Sequence, residues 1–334
     1  MVQFICVFRV LRDRCHKKTI KAVFLLEEYL FSVVTITYNS SRWVKQAIES
    51  VLASTFVNFE YIISDDCSTD DTWEIIQQYK DPRIKILRQN NNIGEYQNRN
   101  FALNEARGQY LLFVDGDDEL YPATLQKLSN YVAAFPNAGS IWGIPENEFR
   151  FCTLPLLLQP PEINKWIFLA NIRIAHIGFA ETLFKTNLLK DLGGFSTRFI
   201  SGDTHMKKIL ALEAPVLLVP SGLVYWRISE GQASSKLSSN YRGFINNVLI
   251  DEDVLKKLKT KNLNIPVRKI EKNISIRNMK LLLKHTLLKG KLFDFIKLFR
   301  RLHFQIFDLR YLFIKGDYSY WGHLNRSSSV DGIQ

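Results

Sequence analysis

Four short apolar runs alternate with stretches of helical spacing, and this alternation limits the possible folds more than any other feature. Residues 31–36 (FSVVTI), 59–64 (FEYIIS), 84–87 and 110–114 (YLLFV) are β-branched or aromatic and read as strands. After the turn Tyr38-Asn39-Ser40-Ser41, Trp43, Val44, Ala47, Ile48, Val51 and Leu52 recur at helical spacing. Ser68 and Asp71 have the spacing of a capping box opening a helix over 72–79, which Asp81-Pro82 ends. Another helix follows Gly94 and ends near Gly108, and Pro122 stands where the first turn of the next should begin. Strand and helix in alternation predict a mostly parallel α/β sheet with helices on both faces. Such sheets bind ligands at the carboxyl ends of their strands. The polar clusters lie at those ends: Thr37-Tyr38-Asn39, Asp65-Asp66 and Asp115-Gly116-Asp117-Asp118.

Farther along, the pattern weakens between 142 and 180, where Pro145, Pro155, Pro160 and Pro161 interrupt it; this stretch reads as a variable insertion or lid. Regularity returns with a segment at 179–184, a helix over 187–192 ending at Gly193-Gly194, and a helix over 204–212. Residues 216–219 and 223–227 are strand-like, and beyond about Asn240 the chain reads as helical and basic to near 315. No repeat of 20–50 residues is evident. Three regions follow: a basic extension over 1–30, an α/β domain over 31–239 and a helical basic region over 240–334. The first is either an amphipathic helix or sequence preceding the domain start.

The net charge of +11 suggests a nucleic-acid ligand until it is divided along the chain. Residues 251–334 hold 18 basic and 8 acidic side chains, residues 1–30 hold 6 and 3, and the middle holds 20 and 22. A near-neutral centre with cationic flanks does not fit a phosphate-tracking groove. Four scattered cysteines with no C-x-x-C pair exclude a zinc ribbon or disulfide framework and favour a reducing compartment. No apolar run reaches the ~18 residues of a spanning helix, and no secretory cleavage pattern follows the N-terminal apolar stretch.

Asp115, Asp117 and Asp118 crowd three carboxylates into four residues, an arrangement that a hard divalent cation would relieve. A turn followed by a helix cap explains the same residues without a metal. An EF-hand does not, because Leu120 and Gln126 occupy its glycine and glutamate positions. Asp66 at a strand end could accept from a base or ribose, Arg99 could pair with phosphate or ribose, and Asp203 stands at a helix start. Each has a plainer reading, as a capping turn, a solvated helical arginine and an N-cap. Neither G-x-G-x-x-G after a strand nor G-x-x-x-x-G-K-[ST] occurs.

Together the runs VVTITYNSSRWVKQAIESVLAST, YIISDDCSTDDT, NNNIGEYQNRNFALNEARGQYLLFVDGDDEL and LGGFSTRFISGD resemble the family 2 glycosyltransferases, over about residues 31–235. The resemblance implies a GT-A fold and an inverting transfer from a nucleotide-sugar donor, UDP-sugar by default, to a glycan or lipid-linked acceptor in cell-surface polysaccharide synthesis. It implies that Thr37, Tyr38, Asn39, Asp66, Arg99 and Asp115 bind the nucleotide, with Asp66 on the base. Asp115 and Asp117 match the D-x-D motif that holds Mn²⁺ or Mg²⁺, and Asp203 matches the general base. Two departures stand out: Gly202 replaces the glutamate common before that aspartate, and Arg227-Ile228-Ser229-Glu230 lacks a histidine frequent after the arginine. A sugar nucleotidyltransferase would want a glycine-rich basic loop after the first strand, where Thr37 to Ser41 contains no glycine. Nucleic acid is not an expected partner. Residues 279–313 interleave Leu, Ile and Phe with lysine and arginine, which fits either an anionic membrane surface as a partner or packing of the apolar faces on the catalytic domain or a partner subunit with the cations solvated. These expectations place the enzyme in the cytoplasm, with peripheral attachment to the inner face of the plasma membrane as the extension they allow.

Overall fold

The computed structural model describes residues 29–145, 152–170, 173–176, 178–228 and 241–314. The expectations for residues 1–28 and for Ser229 and Glu230 therefore lie outside the described residues. Eight strands form one sheet: β1 (Phe31–Thr37), β2 (Phe59–Asp65), β3 (Ile84–Arg88), β4 (Tyr110–Phe113), β6 (Ser140–Ile144), β7 (Leu156–Leu158), β8 (Thr182–Lys185) and β9 (Val216–Pro220), in the order β3-β2-β1-β4-β8-β6-β9-β7. Short strands β5 (Glu119–Leu120) and β10 (Val224–Tyr225) pair separately. The sheet is mixed: β1, β2, β3 and β4 run parallel, β8 is antiparallel to both β4 and β6, and β7 is antiparallel to β9.

Helices α1 (Val44–Leu52), α2 (Thr72–Ile76) and α4 (Thr124–Ala134) cover one face, where Val33, Tyr61, Ile63, Leu112 and Leu183 meet Val44, Ile48, Leu125 and Leu128. Helices α3 (Glu95–Glu105), α5 (Pro160–Phe168), α6 (Thr186–Asp191) and α7 (Gly202–Glu213) cover the other, where Val34, Ile62, Phe113 and Leu218 meet Ala102, Trp166 and Leu210. A strand buried on both faces needs apolar side chains at successive positions. That is why Val33 and Val34 are adjacent yet belong to opposite layers.

Two expectations are corrected. The stretch after 142 is neither an insertion nor a lid in its described part. Trp142 and Ile144 of β6, and Ile163, Trp166, Ile167 and Phe168 of α5, are all buried in the main core. Nor does Ser68 form a capping box. Its hydroxyl donates to Asp65 Oδ1 at 2.5 Å and accepts from the Asn39 amide at 2.9 Å, while α2 ends at Ile76.

After residue 240 come α8 (Arg242–Thr260), α9 (Val267–His285) and α10 (Leu292–Arg301). Ile250, Val254 and Leu258 of α8 and Ile270 and Ile274 of α9 lie in the main core, so these helices share the core of the 31–239 region. Their charged link to α7 is buried: Lys208 donates to Asp251 Oδ1 at 2.7 Å, and Arg277 reaches the other Asp251 oxygen. Removing one member of a buried ion group strands the rest. Asp251→Ala should therefore lower unfolding free energy by about 3–5 kcal/mol. Glu271→Ala, which breaks an exposed pair with Lys259, should cost under about 1 kcal/mol. Urea unfolding of both variants checks the contrast, and equal midpoints would show that Asp251 does not hold the helices together.

Candidate active site

Strand order places the site. The chain steps outward from β1 through β2 to β3, then returns to lay β4 on the other side of β1. The crevice of such a sheet opens at the carboxyl ends where the order reverses. Thr37 is level with Asp65 and Val34 with Phe113, so the segments leaving β1, β2 and β4 converge there.

On the first rim, Thr37 donates to Asp65 Oδ1 at 2.9 Å, and the Asn39 side-chain carbonyl accepts from the Thr69 amide at 2.9 Å. Asn39 takes a positive φ of 51°, which asparagine tolerates better than most residues. These bonds fix the 37–39 and 65–69 loops, between which Tyr38 is 49% exposed. Asp66 is buried, and its two carboxylate oxygens accept from the amides of Ile93 (2.8 Å) and Gly94 (2.9 Å). It thus anchors the loop entering α3. A contact to a base would use the oxygens' remaining lone pairs.

Opposite lies the aspartate cluster. Arg99 is almost fully buried, donates to Asp115 Oδ2 at 2.8 Å and to Glu95 Oε1 at 3.0 Å, and lies 3.8 Å over the Phe179 ring. It is no solvated surface arginine. Asp115 and Glu95 hold its charge in place despite the burial that opposes it. Asp115 Oδ1 is buried and receives no hydrogen bond from the described residues. Asp118, also buried, accepts from the Arg227 amide at 3.0 Å; its burial, with Asp115 and Asp117 nearby, pushes its carboxyl up to about 8. Arg227 further donates to the Asp117 carbonyl at 3.0 Å and lies 4.0 Å over Trp43, bracing the whole turn. A hard divalent ion fits this donor set. One buried carboxylate oxygen lacks a partner, crowded carboxylates repel, and magnesium-like ions take one or two carboxylates plus substrate phosphates. Among the described residues no three His, Cys, Asp or Glu side chains form a complete cage.

Asp203 comes from α7. Ser201 holds the N-cap position and Asp203 is the second residue of the helix, so it is not the cap. Burial raises its carboxyl above the ordinary range, against backbone amides of the first turn and the charges of Lys207 and Arg99. Lys207, one turn on, is buried over Trp142; burial presses it down to about 7 against the pull of Asp203 and Glu181. Burial likewise raises Glu95, and both Asp115 and Asp203 add to that rise. Asp203 and Asp115 therefore act on the same residues of α3, Glu95 and Arg99.

Sequence reasoning missed the clamp that orients α7. The Tyr96 hydroxyl donates to the Ile200 carbonyl at 2.9 Å and accepts from the Gly202 amide at 2.7 Å. A Cβ at Gly202 would stand 2.7 Å from the Tyr96 ring, so glycine here is the counterpart of that tyrosine and a glutamate would collide. Asn100 bonds both the amide and the carbonyl of Phe195, and Gly194, at φ +70°, has no room for a Cβ beside it. Adjacent Glu95 and Arg99 at i,i+4 were the available signal for α3; for Tyr96, Glu181 and Lys207 the local sequence offered none.

The profile of "Glycosyl transferase family 2" matches residues 32–180. The Escherichia coli protein UDP-Glc:alpha-D-GlcNAc-diphosphoundecaprenol beta-1,3-glucosyltransferase WfaP is 38% identical over 211 residues, 62% of this chain and 80% of that one. Among solved structures, S. aureus TarS 1-349 in complex with UDP-GlcNAc superposes with a TM-score of 0.62 at 22% identity, covering 89% of this chain and 91% of that one. The mannosyltransferase PcManGT of Pyrobaculum calidifontis, in complex with GDP-Man and Mn²⁺, superposes with a TM-score of 0.56 at 16% identity over 89% and 84% of the two chains. The sheet order, the crevice it opens and these likenesses agree on the GT-A fold, and the chain belongs to the family 2 glycosyltransferases.

Proposed function

We propose that the chain transfers a hexose with inversion from a UDP-sugar to a hydroxyl of a lipid-linked glycan acceptor during cell-surface polysaccharide synthesis. The observation that supports this reading is that the buried carboxylate of Asp203 on α7 and Asp115 on the strand-end turn both act on Glu95 and Arg99 of α3, with Arg99 bonded to Asp115 at 2.8 Å. The WfaP name, with its UDP-glucose donor and diphosphoundecaprenol acceptor, supports the choice of donor and acceptor. Tyr38, half exposed, would stack on the base, and Asp66 would accept from a base N–H through the lone pairs that its bonds to the Ile93 and Gly94 amides leave. Asp203 would take the proton of the acceptor hydroxyl as its oxygen bonds to the anomeric carbon and the nucleoside diphosphate departs. Asp115 and Asp117 would hold Mn²⁺ or Mg²⁺ against the diphosphate, where the ion offsets developing negative charge. Arg99 fixes Asp115 and keeps a cation beneath the leaving group. A single displacement needs one base and no covalent intermediate.

A lipid-linked acceptor requires work at a membrane, and the scattered cysteines, with no C-x-x-C pair, favour its cytoplasmic side. Among the described residues no helix is long and apolar enough to cross one. Incubation of the purified chain with a panel of UDP- and GDP-sugars and Mn²⁺ tests the donor: release of UDP from one sugar over the rest is expected. Release of GDP alone would overturn the donor assignment.

A further inference from the structure

We infer that α10 and the turns flanking it form a docking face for an anionic phospholipid bilayer. This rests on the lipid-linked acceptor reading only for its purpose, since the face itself is argued from geometry. The aromatic residues of 279–313 divide into two sets. Phe295, Leu298 and Leu302 are buried against Phe244, Val248, Met279 and Leu282, with Phe299, Phe304 and Tyr311 half-buried around them. This inward set accounts for the small core that α8, α9 and α10 share. Packing therefore explains only part of the apolar content.

The second set points outward. Phe293, Phe307 and Phe313 are each at least 80% exposed, and Leu288, Leu292, Ile296 and Ile306 are exposed with them. A ten-residue helix with one apolar side in a core and further apolar residues in solvent lacks the fully polar outer face of an ordinary surface helix. On α10 itself Leu292, Phe293 and Ile296 fall within about a third of the helix circumference, opposite the buried Phe295 and Leu298, and exposed apolar surface of this kind marks an interaction site.

Charge chooses the occupant. Lys289, Lys291, Lys297, Arg300, Arg301 and Arg310 are exposed among these residues; Lys291 lies over the Tyr241 ring and Arg310 over the Tyr311 ring, and no salt bridge among the described residues holds any of the six. The acidic residues of the same stretch, Asp294 and Asp308, are half-buried and engaged, with the Tyr241 hydroxyl and the Gln305 amide. Lys297 and Arg300 follow Phe293 and Ile296 by one turn, so their heads can reach toward phosphates while the apolar groups insert. A protein partner would have to match six cations with carboxylates; an anionic leaflet supplies negative charge at any lateral position. The face is also tied to the site, because α8 and α9 join α7 through Lys208, Asp251 and Arg277, and His205 Nε2 on α7 lies 2.9 Å from Asp253 Oδ2 on α8. A bilayer on this face would therefore be held at a fixed distance from the helix carrying Asp203.

Flotation of the full chain with phosphatidylglycerol-containing vesicles, against pure phosphatidylcholine vesicles, tests the inference. Strong flotation on the anionic vesicles alone is expected, with most of it lost at about 1 M salt, where the Debye length falls to about 3 Å. The triple variants Phe293→Ser/Phe307→Ser/Phe313→Ser and Lys289→Glu/Lys297→Glu/Arg301→Glu alter exposed positions and should each lose most of the floated fraction. UDP release in the absence of membrane should not change in either, so a failure of the donor reading shows separately. Equal flotation on both lipids, or unchanged flotation of the phenylalanine variant, would overturn the inference. So would a stable dimer by sedimentation that the phenylalanine variant splits, since a second copy would then cover the face.

Discussion

Asp203→Asn should lower kcat by roughly 10²–10⁴-fold, the usual worth of a positioned general base, while donor affinity stays within about twofold. Asparagine keeps the shape and still accepts from the amides of the first turn, so α7 should start where it does now. What it loses is basicity at the acceptor hydroxyl. Near-normal turnover would reduce Asp203 to a piece of helix-end structure. The pH dependence supplies a second reading. Only the ionised carboxylate can take a proton, so kcat/KM should fall as pH drops through the Asp203 pKa, which burial holds above the ordinary carboxylate range. Lys207 opposes that rise. Lys207→Met, with its positive charge gone, should move the acid limb to higher pH and leave the donor KM nearly unchanged. An unmoved limb would mean that Lys207 does not tune the base.

The first half of the fold was readable because of where it is buried. Strands β1, β2 and β4 are covered on both faces, so they appear as mostly apolar runs without alternation, and the turns that follow them carry the polar residues of the crevice. Residues 142–180 resisted for equally local reasons. Strand β6 contains Gly143, where a Cβ would strike the Glu181 carboxylate, and α5 opens on Pro160-Pro161. Those prolines occupy the first helical positions, where a missing N–H costs little, yet in sequence they look like breaks. The antiparallel insertion of β8 between β4 and β6 is a pairing choice that no local pattern records. The site divides the same way. Its carboxylates stood in recognisable runs, whereas the Ser68 hydroxyl was claimed by Asp65 and Asn39, and Tyr96 reaches α7 across 106 residues of chain to its partner Gly202. Long-range hydrogen bonds of that kind overrule local capping preferences, and they are invisible to spacing.

Asp117→Ala should abolish metal-dependent donor binding and leave the fold intact. The choice of Asp117 over its neighbours follows from the geometry. Asp115→Ala would strand the buried Arg99 guanidinium, which depends on Asp115 Oδ2, and any lost affinity would mix metal loss with a broken ion pair. Asp118→Ala would remove the acceptor for the Arg227 amide and loosen the turn. Asp117 is one of the two carboxylates expected on the ion, and the Arg227 guanidinium holds its backbone carbonyl, which alanine retains. Burial and then Asp115 hold the Asp118 carboxyl up at about 8, and Asp117 adds a smaller share, so removing the Asp117 charge should lower that carboxyl only slightly. The turn would then be under less repulsion, so the melting temperature without metal should hold or rise slightly. Titration calorimetry of UDP-sugar into wild type should give a clear binding heat with Mn²⁺ and much weaker binding after chelation by EDTA. The variant should behave like the chelated wild type in both conditions. Unchanged donor affinity in Asp117→Ala with Mn²⁺ present would remove this residue from the metal site, and equal wild-type binding with and without EDTA would remove the metal from donor recognition.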